Sequence, residues 1–166
     1  MRIFAIDPHT GSPEHNKKGQ VHTFKIFKKN IKKAKVENMI IPLQKTSKEA
    51  AKKFNKKIDL LFIDGRHDYN FVNLDFNLYY PKIKDGGIIV FHDTIGWPGP
   101  KRVVKENVFL SKNFRKVRFT NSITYGIKTK KQKLSDRIGN YCFLYLKDIS
   151  ETIRKIKWKL CPIRRK

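Results

Sequence analysis

The stretch "IDLLFIDGRHDYN", residues 58–70, decides how the chain folds. It runs through the apolar group Leu60, Leu61, Phe62 and Ile63, then stops on Asp64 and Gly65, with Arg66, His67 and Asp68 crowded behind. A second stretch, "GGIIVFHDT", residues 86–94, repeats the event, and its strand ends on His92 and Asp93. These runs are continuously apolar rather than alternating. That pattern predicts parallel strands covered on both faces.

Around these two strands the remaining segments alternate between strand and helix. "RIFAID", residues 2–7, reads as a short strand closed by the turn formers of "PHTGSPEHNKKG". Val21, Phe24, Phe27 and Ile31 follow at helical spacing among lysines, "ENMIIPL" gives a strand, and "SKEAAKKF" a helix capped by Ser47. Phe71, Leu74 and Leu78 define the expected apolar face of the next helix, which Pro81 stops. After "GWPGP" comes the helix "KRVVKENVFL", and "RKVRFT" with "TYGIKTK" forms an antiparallel pair at the end of the sheet. The expected class is therefore α/β, doubly wound, with a mostly parallel sheet. Ligands of such sheets gather beyond the carboxyl ends of the strands. Asp7, Asp64, His92 and Asp93 stand at those ends and are expected to line one rim.

Residues 1–127 make up this α/β domain, and residues 128–166 form a basic C-terminal extension. The extension carries 13 basic and 3 acidic residues. Within it, "DISETIRKIKWKL", residues 148–160, places Ile149, Ile153, Ile156 and Leu160 on one helical face, with lysines and Arg154 largely off it. Such a helix packs on its own domain or lies on an anionic membrane. The whole chain has 38 basic and 14 acidic residues among 166, a net charge of +24. A field of that sign attracts polyanions, although lysine dominates over the arginine that nucleic-acid readers favour. Cys142 and Cys161 have no metal-binding spacing, no run reaches the length of a membrane span, and the opening residues do not resemble a signal peptide. The expected setting is a reducing cytoplasm, with the basic tail as a point of peripheral membrane contact.

The segment "IDLLFIDGRHDYNFVNLDFNLYYPKIKDGGIIVFHDT" resembles the fourth strand, following helix and fifth strand of class I S-adenosylmethionine-dependent methyltransferases. The likeness is to the small-molecule and sugar O-methyltransferase group that includes macrocin-type enzymes and cephalosporin-hydroxylase relatives. It implies a Rossmann-like fold, S-adenosylmethionine as cofactor, and a small-molecule or sugar hydroxyl as acceptor. "RIFAID" corresponds to the second strand, so Asp7 would accept hydrogen bonds from the cofactor ribose, with Asp64 also on the cofactor side. Asp64, His92 and Asp93 correspond to the residues that hold a divalent metal, magnesium or, given the imidazole, manganese, in metal-dependent members. His67 matches the group's histidine and is the candidate general base, since an imidazole can take a proton near neutral pH.

Two departures accompany the resemblance. Arg66 stands where the group usually has an acidic residue, and arginine cannot accept a proton. No glycine-rich turn of the G-x-G-x-G type precedes "RIFAID", so the chain is expected to begin at the family's second strand, as an N-terminally truncated form with exposed sheet edges that favour homo-oligomers. An RNA methyltransferase, suggested by the charge, and a non-catalytic remnant or interaction module are the alternatives.

Overall fold

The computed structural model describes residues 1–11 and 21–160, with side chains given through residue 157. The chain falls into two compact units, Met1–Asn55 and a second beginning at Lys56. The first holds β1 (Ile3–Ile6), α1 (Phe24–Lys33), β2 (Ile40–Leu43) and α2 (Ser47–Lys53). β1 and β2 pair in parallel, Ile3 opposite Ile40 and Ile6 opposite Leu43. The cap of α2 is Thr46 rather than the expected Ser47. Its hydroxyl accepts from the Glu49 amide at 3.3 Å, and Glu49 returns a bond to the Thr46 amide at 2.9 Å. This reciprocal box satisfies two amide donors at the helix start, which a cap at Ser47 with Ala50 three residues on could not do.

The second unit contains β3 (Ile58–Ile63), α3 (Tyr69–Tyr79), β4 (Ile83–Phe91), α4 (Pro98–Val104), β5 (Phe114–Thr120), β6 (Ile123–Lys128) and α5 (Leu134–Leu160). Its strand order is β3-β4-β6-β5. β3 and β4 are parallel, whereas β6 runs antiparallel to both β4 and β5. Strands and flanking helices therefore give the expected α/β class, including the antiparallel pair at the sheet end. The family's glycine-rich strand-turn has no counterpart among the described elements.

The core lies on one side of this sheet. Ile63, Ile89, Phe91, Val103, Val104, Val108, Phe109, Phe114 and Val117 are buried together with Phe76 and Tyr79 of α3. β3 is an edge strand, and Leu60 and Phe62 remain 57% and 50% exposed. The expectation of coverage on both faces fails here, because continuous hydrophobicity reports what a strand can bury and not which neighbours it finds. α3 likewise buries Val72, Phe76 and Tyr79, while Phe71 and Leu74 of the expected face are exposed. Two registers of apolar residues coexist at helical spacing, and packing selects the one carrying Phe76, whose ring lies 6.1 Å from that of Phe91.

The long helix α5 packs on β5 through polar residues. Asn140 is fully buried; its Nδ2 donates to the Phe114 carbonyl at 2.8 Å and its Oδ1 accepts from the Val117 amide at 3.0 Å. The register of β5 shifts between Arg115 and Arg118, where Lys116 adopts a positive φ of 51°. A bulge leaves ladder groups without strand partners, and Asn140 takes up two of the neighbouring ones. Ile149, Ile153 and Ile156, expected to form one face of the helix, are exposed; the Leu160 side chain lies outside the described residues. No helix among the described residues is long and apolar enough to cross a membrane.

Candidate active site at the ends of two parallel strands

The site grows from the β3–β4 pair. Because these strands run parallel and in register from Leu60–Ile88 to Ile63–Phe91, they finish together. The His92 amide continues the ladder by donating to the Ile63 carbonyl at 3.0 Å. Asp64 and His92 thus leave adjacent strands side by side. Asp93 follows with φ of 52°, a left-handed conformation that a non-glycine residue keeps only when its surroundings impose it. Thr94 supplies the imposition. Its amide and hydroxyl both donate to the Ser122 carbonyl, at 2.8 and 3.0 Å, and its hydroxyl meets that of Thr124 at 2.7 Å.

Three of the residues expected at the rim converge. One donor atom from each of Asp64, His92 and Asp93 lies within 4.8 Å of the others. His92 Nδ1 is 3.1 Å from Asp64 Oδ1 and 3.2 Å from Asp93 Oδ2. That nitrogen is buried, yet its geometry gives no hydrogen bond to either carboxylate. Donors sharing a cation at about 2.1 Å stand about 3.0 Å apart in cis octahedral geometry and about 3.4 Å apart in tetrahedral geometry. The two separations from His92 Nδ1 fall in this range, and the donor set is of a kind that could hold a divalent ion. One imidazole with two carboxylates suits manganese, iron or zinc as well as magnesium. His92 Nε2 faces the Ser122 hydroxyl at 3.5 Å, the outer contact by which a ligating ring is oriented.

His67 joins the same cluster. Its Nε2 is 3.0 Å from Asp93 Oδ2, and its ring stacks on Trp97 at a centroid distance of 4.1 Å. Asp93 therefore faces both imidazoles. Arg66 turns away from the cluster, with its guanidinium 3.0 Å from Asp68 and 3.8 Å from the centre of the Phe71 ring. Beneath lies a cavity of about 10 Å³ lined by Asp64, Gly65, Arg66, His67, His92 and Pro100, room for a single water or ion.

Asp7 belongs to the first unit. Its Oδ1 accepts from the His9 amide at 2.6 Å, closing a turn in which His9 is buried with φ of 58°. His9 Nδ1 lies 2.9 Å from the Thr23 hydroxyl and its ring packs against Phe24 and Phe27. The turn role of Asp7 is thus present in the fold, and its exposed carboxylate retains further acceptor capacity.

Sequence reasoning missed Gly99. A Cβ there would overlap the His67 carbonyl oxygen and lie 2.6 Å from the Tyr69 nitrogen. Only glycine lets the start of α4 approach the 67–69 backbone this closely. The rigid "GWPGP" loop was the visible signal, but its partner was not.

It also missed a buried charge network behind Thr94. Lys147 of α5 donates to the Thr94 carbonyl at 2.6 Å and lies 3.1 Å from Glu151 Oε1. Glu151 Oε2 in turn takes a 2.6 Å bond from Lys101 of α4, which also sits 3.2 Å from Asp148. Burial pushes the Lys147 ammonium below its ordinary value, with Glu151 opposing. Burial would raise the Glu151 carboxyl, but the Lys101 hydrogen bond and the Lys147 charge outweigh it and hold the group low.

A family model described as "Methyltransferase domain" matches residues 1–94. The chain belongs to this methyltransferase family. The match takes in β1 through β4 and ends on Thr94, one residue beyond the converging donors. Among curated relatives, the "Uncharacterized protein R132" of Acanthamoeba polyphaga mimivirus is 40% identical over 96 residues, covering 55% of this chain and 40% of the relative. The "Uncharacterized protein y4gI" of Sinorhizobium fredii is 30% identical over 92 residues, or 55% of this chain and 10% of the relative. The chain thus spans less than half the length of either. Among solved structures, the O-methyltransferase NovP superposes with a TM-score of 0.66 at 16% identity, covering 78% of this chain and 60% of NovP. The calicheamicin methyltransferase CalS11 gives 0.54 at 16% identity, covering 76% and 60%. An O-methyltransferase from Bacillus cereus, solved in complex with SAH, gives 0.52 at 14% identity, covering 76% and 63%. These likenesses establish a shared Rossmann-like methyltransferase fold.

Proposed function

We propose that the chain serves an S-adenosylmethionine-dependent O-methyltransferase, transferring a methyl group to a hydroxyl of a small molecule or sugar. The observation that carries this reading is the convergence of Asp64, His92 and Asp93 at the ends of adjacent parallel strands, in a chain of the methyltransferase family. In this reading Asp64, His92 and Asp93 hold a divalent cation, which when bound would acidify and orient the acceptor hydroxyl. When bound, S-adenosylmethionine would supply the methyl group to the acceptor oxygen, its sulfur keeping the electron pair of the broken S–CH3 bond. The acceptor proton passes to a base. His67 is proposed for that role, its Nε2 standing 3.0 Å from Asp93 Oδ2. The carboxylate of Asp7 would receive the ribose hydroxyls of the cofactor, and Asp64 would stand at the cofactor edge of the site. Residues 1–127 are proposed as the methyltransferase region, with residues 128–166 as a basic C-terminal extension. A reducing compartment, with Cys142 as a free thiol, belongs to the same proposal.

Calorimetric titration of the purified chain with S-adenosylmethionine tests the reading. Binding is expected, and Asp7→Ala is expected to abolish it. A folded chain that gives no heat at millimolar cofactor would overturn the proposal.

A further inference from the structure

α5 is mounted with its polar side inward. The residues it buries are Asn140, Lys147 and Glu151, whereas Ile138, Tyr141, Tyr145, Ile149, Ile153 and Ile156 are exposed. Tyr145 is 70% exposed and Ile156 51%. At 100° per residue these six outward side chains fall within an arc of about 120°, a continuous apolar stripe. It runs from residue 138 to 156, about 27 Å at 1.5 Å per residue. Contiguous apolar surface of that extent marks an interaction site.

The charges around the stripe identify its occupant. Lys155 and Lys157 are exposed on opposite flanks, and Arg154 is exposed in the same turn. Of the acidic residues in this part of the helix, Glu151 is buried against Lys101 and Lys147, and Asp148, on the Lys155 flank of the stripe, is paired with Lys101. From residue 152 onward the sequence carries seven basic residues and no acidic one. Flanking lysines with apolar stems, an apolar stripe, and tyrosines with polar tips suit a helix lying in the plane of a bilayer interface. Self-pairing through the same face would bring two such basic flanks together on chains of net charge +24, which repel.

We propose that α5 docks the protein peripherally on anionic lipid, its apolar stripe entering the headgroup–acyl boundary and its lysines meeting the lipid charge. This inference is independent of the proposed methyl transfer. The buried polar side of α5 keeps its grip on β5 and Thr94, so docking leaves the helix in place.

Vesicle co-sedimentation of the full chain tests it, using phosphatidylcholine alone and phosphatidylcholine with 30% phosphatidylserine. At least tenfold stronger partition to the anionic vesicles is expected. The double variant Ile149→Asp with Ile156→Asp should lose that binding while retaining the wild-type circular dichroism, because both side chains point outward. Lys155→Glu with Lys157→Glu should weaken it at least fivefold. Three outcomes would overturn the proposal. One is no preference for anionic vesicles. Another is undiminished binding by the aspartate variant, which means charge alone attracts the lipid. The third is a concentration-dependent dimer in light scattering that the aspartate variant abolishes, which assigns the face to a second copy.

Discussion

The ammonium of Lys147 donates to the carbonyl of Thr94 at 2.6 Å, across 53 residues of sequence. Thr94 directly follows Asp93, the residue held at positive φ among two imidazoles, so α5 steadies the strand end on which the candidate site depends. Lys147 is 1% exposed and Glu151 6%. Removing one partner strands the other charge, so Lys147→Ala should cost about 3 kcal/mol in urea unfolding. Replacing both, Lys147→Met with Glu151→Leu, should recover only part of that loss, since the apolar pair needs no counter-charge but leaves the buried Thr94 carbonyl without its donor.

The same network sets an acid limit. The Glu151 carboxyl is held low in the fold, so below about pH 4.3 the unfolded chain binds more protons than the folded one. The contribution is complete above that pH and is lost as the pH falls through the folded value. Lys147, pushed low by burial, stays charged throughout this window and loses its counter-ion as Glu151 protonates. A unfolding free energy that falls between pH 4.5 and 3, with the drop reduced in Glu151→Gln, is the expected result by chemical denaturation.

Asn140 joins α5 to the bulged strand β5 through two buried bonds. Asn140→Ala leaves the Val117 amide without its acceptor and should cost about 2 kcal/mol. Asn140→Asp keeps the acceptor but loses the donor to Phe114. Its hydrogen-exchange protection at Val117 should exceed that of the alanine variant.

Gly99 packs directly on the backbone that carries His67. Gly99→Ala must separate α4 from residues 67–69, with an expected loss of about 3 kcal/mol in stability. The imidazole resonances of His67 should shift in NMR spectra, while those of His9, in the other unit, should not.

The donor set of Asp64, His92 and Asp93 predicts linkage between metal and stability. Manganese at a hundred times its dissociation constant should stabilise the fold by about 2.7 kcal/mol, read as a rise in melting temperature. Asp93→Asn should abolish the rise. A wild-type melting temperature indifferent to manganese would remove the metal from the proposal.

The sequence by itself determined the element order, the α/β class and the two strand ends carrying Asp64, His92 and Asp93. Those follow from local causes: apolar runs, turn formers and the rule that parallel strands open their sites at their carboxyl ends. Packing decided the rest. Which of two apolar registers α3 buries and why Gly99 is glycine depend on partners distant in the chain, whereas the turn that Asp7 closes on His9 spans only two residues. α5 is the sharpest case. Its periodicity left open whether the apolar face packs inward or faces out, but β5 offered a bulge with backbone groups to satisfy, and Thr94 a buried carbonyl. Asn140 and Lys147 satisfy those groups from the inner side of α5, and the apolar stripe faces outward.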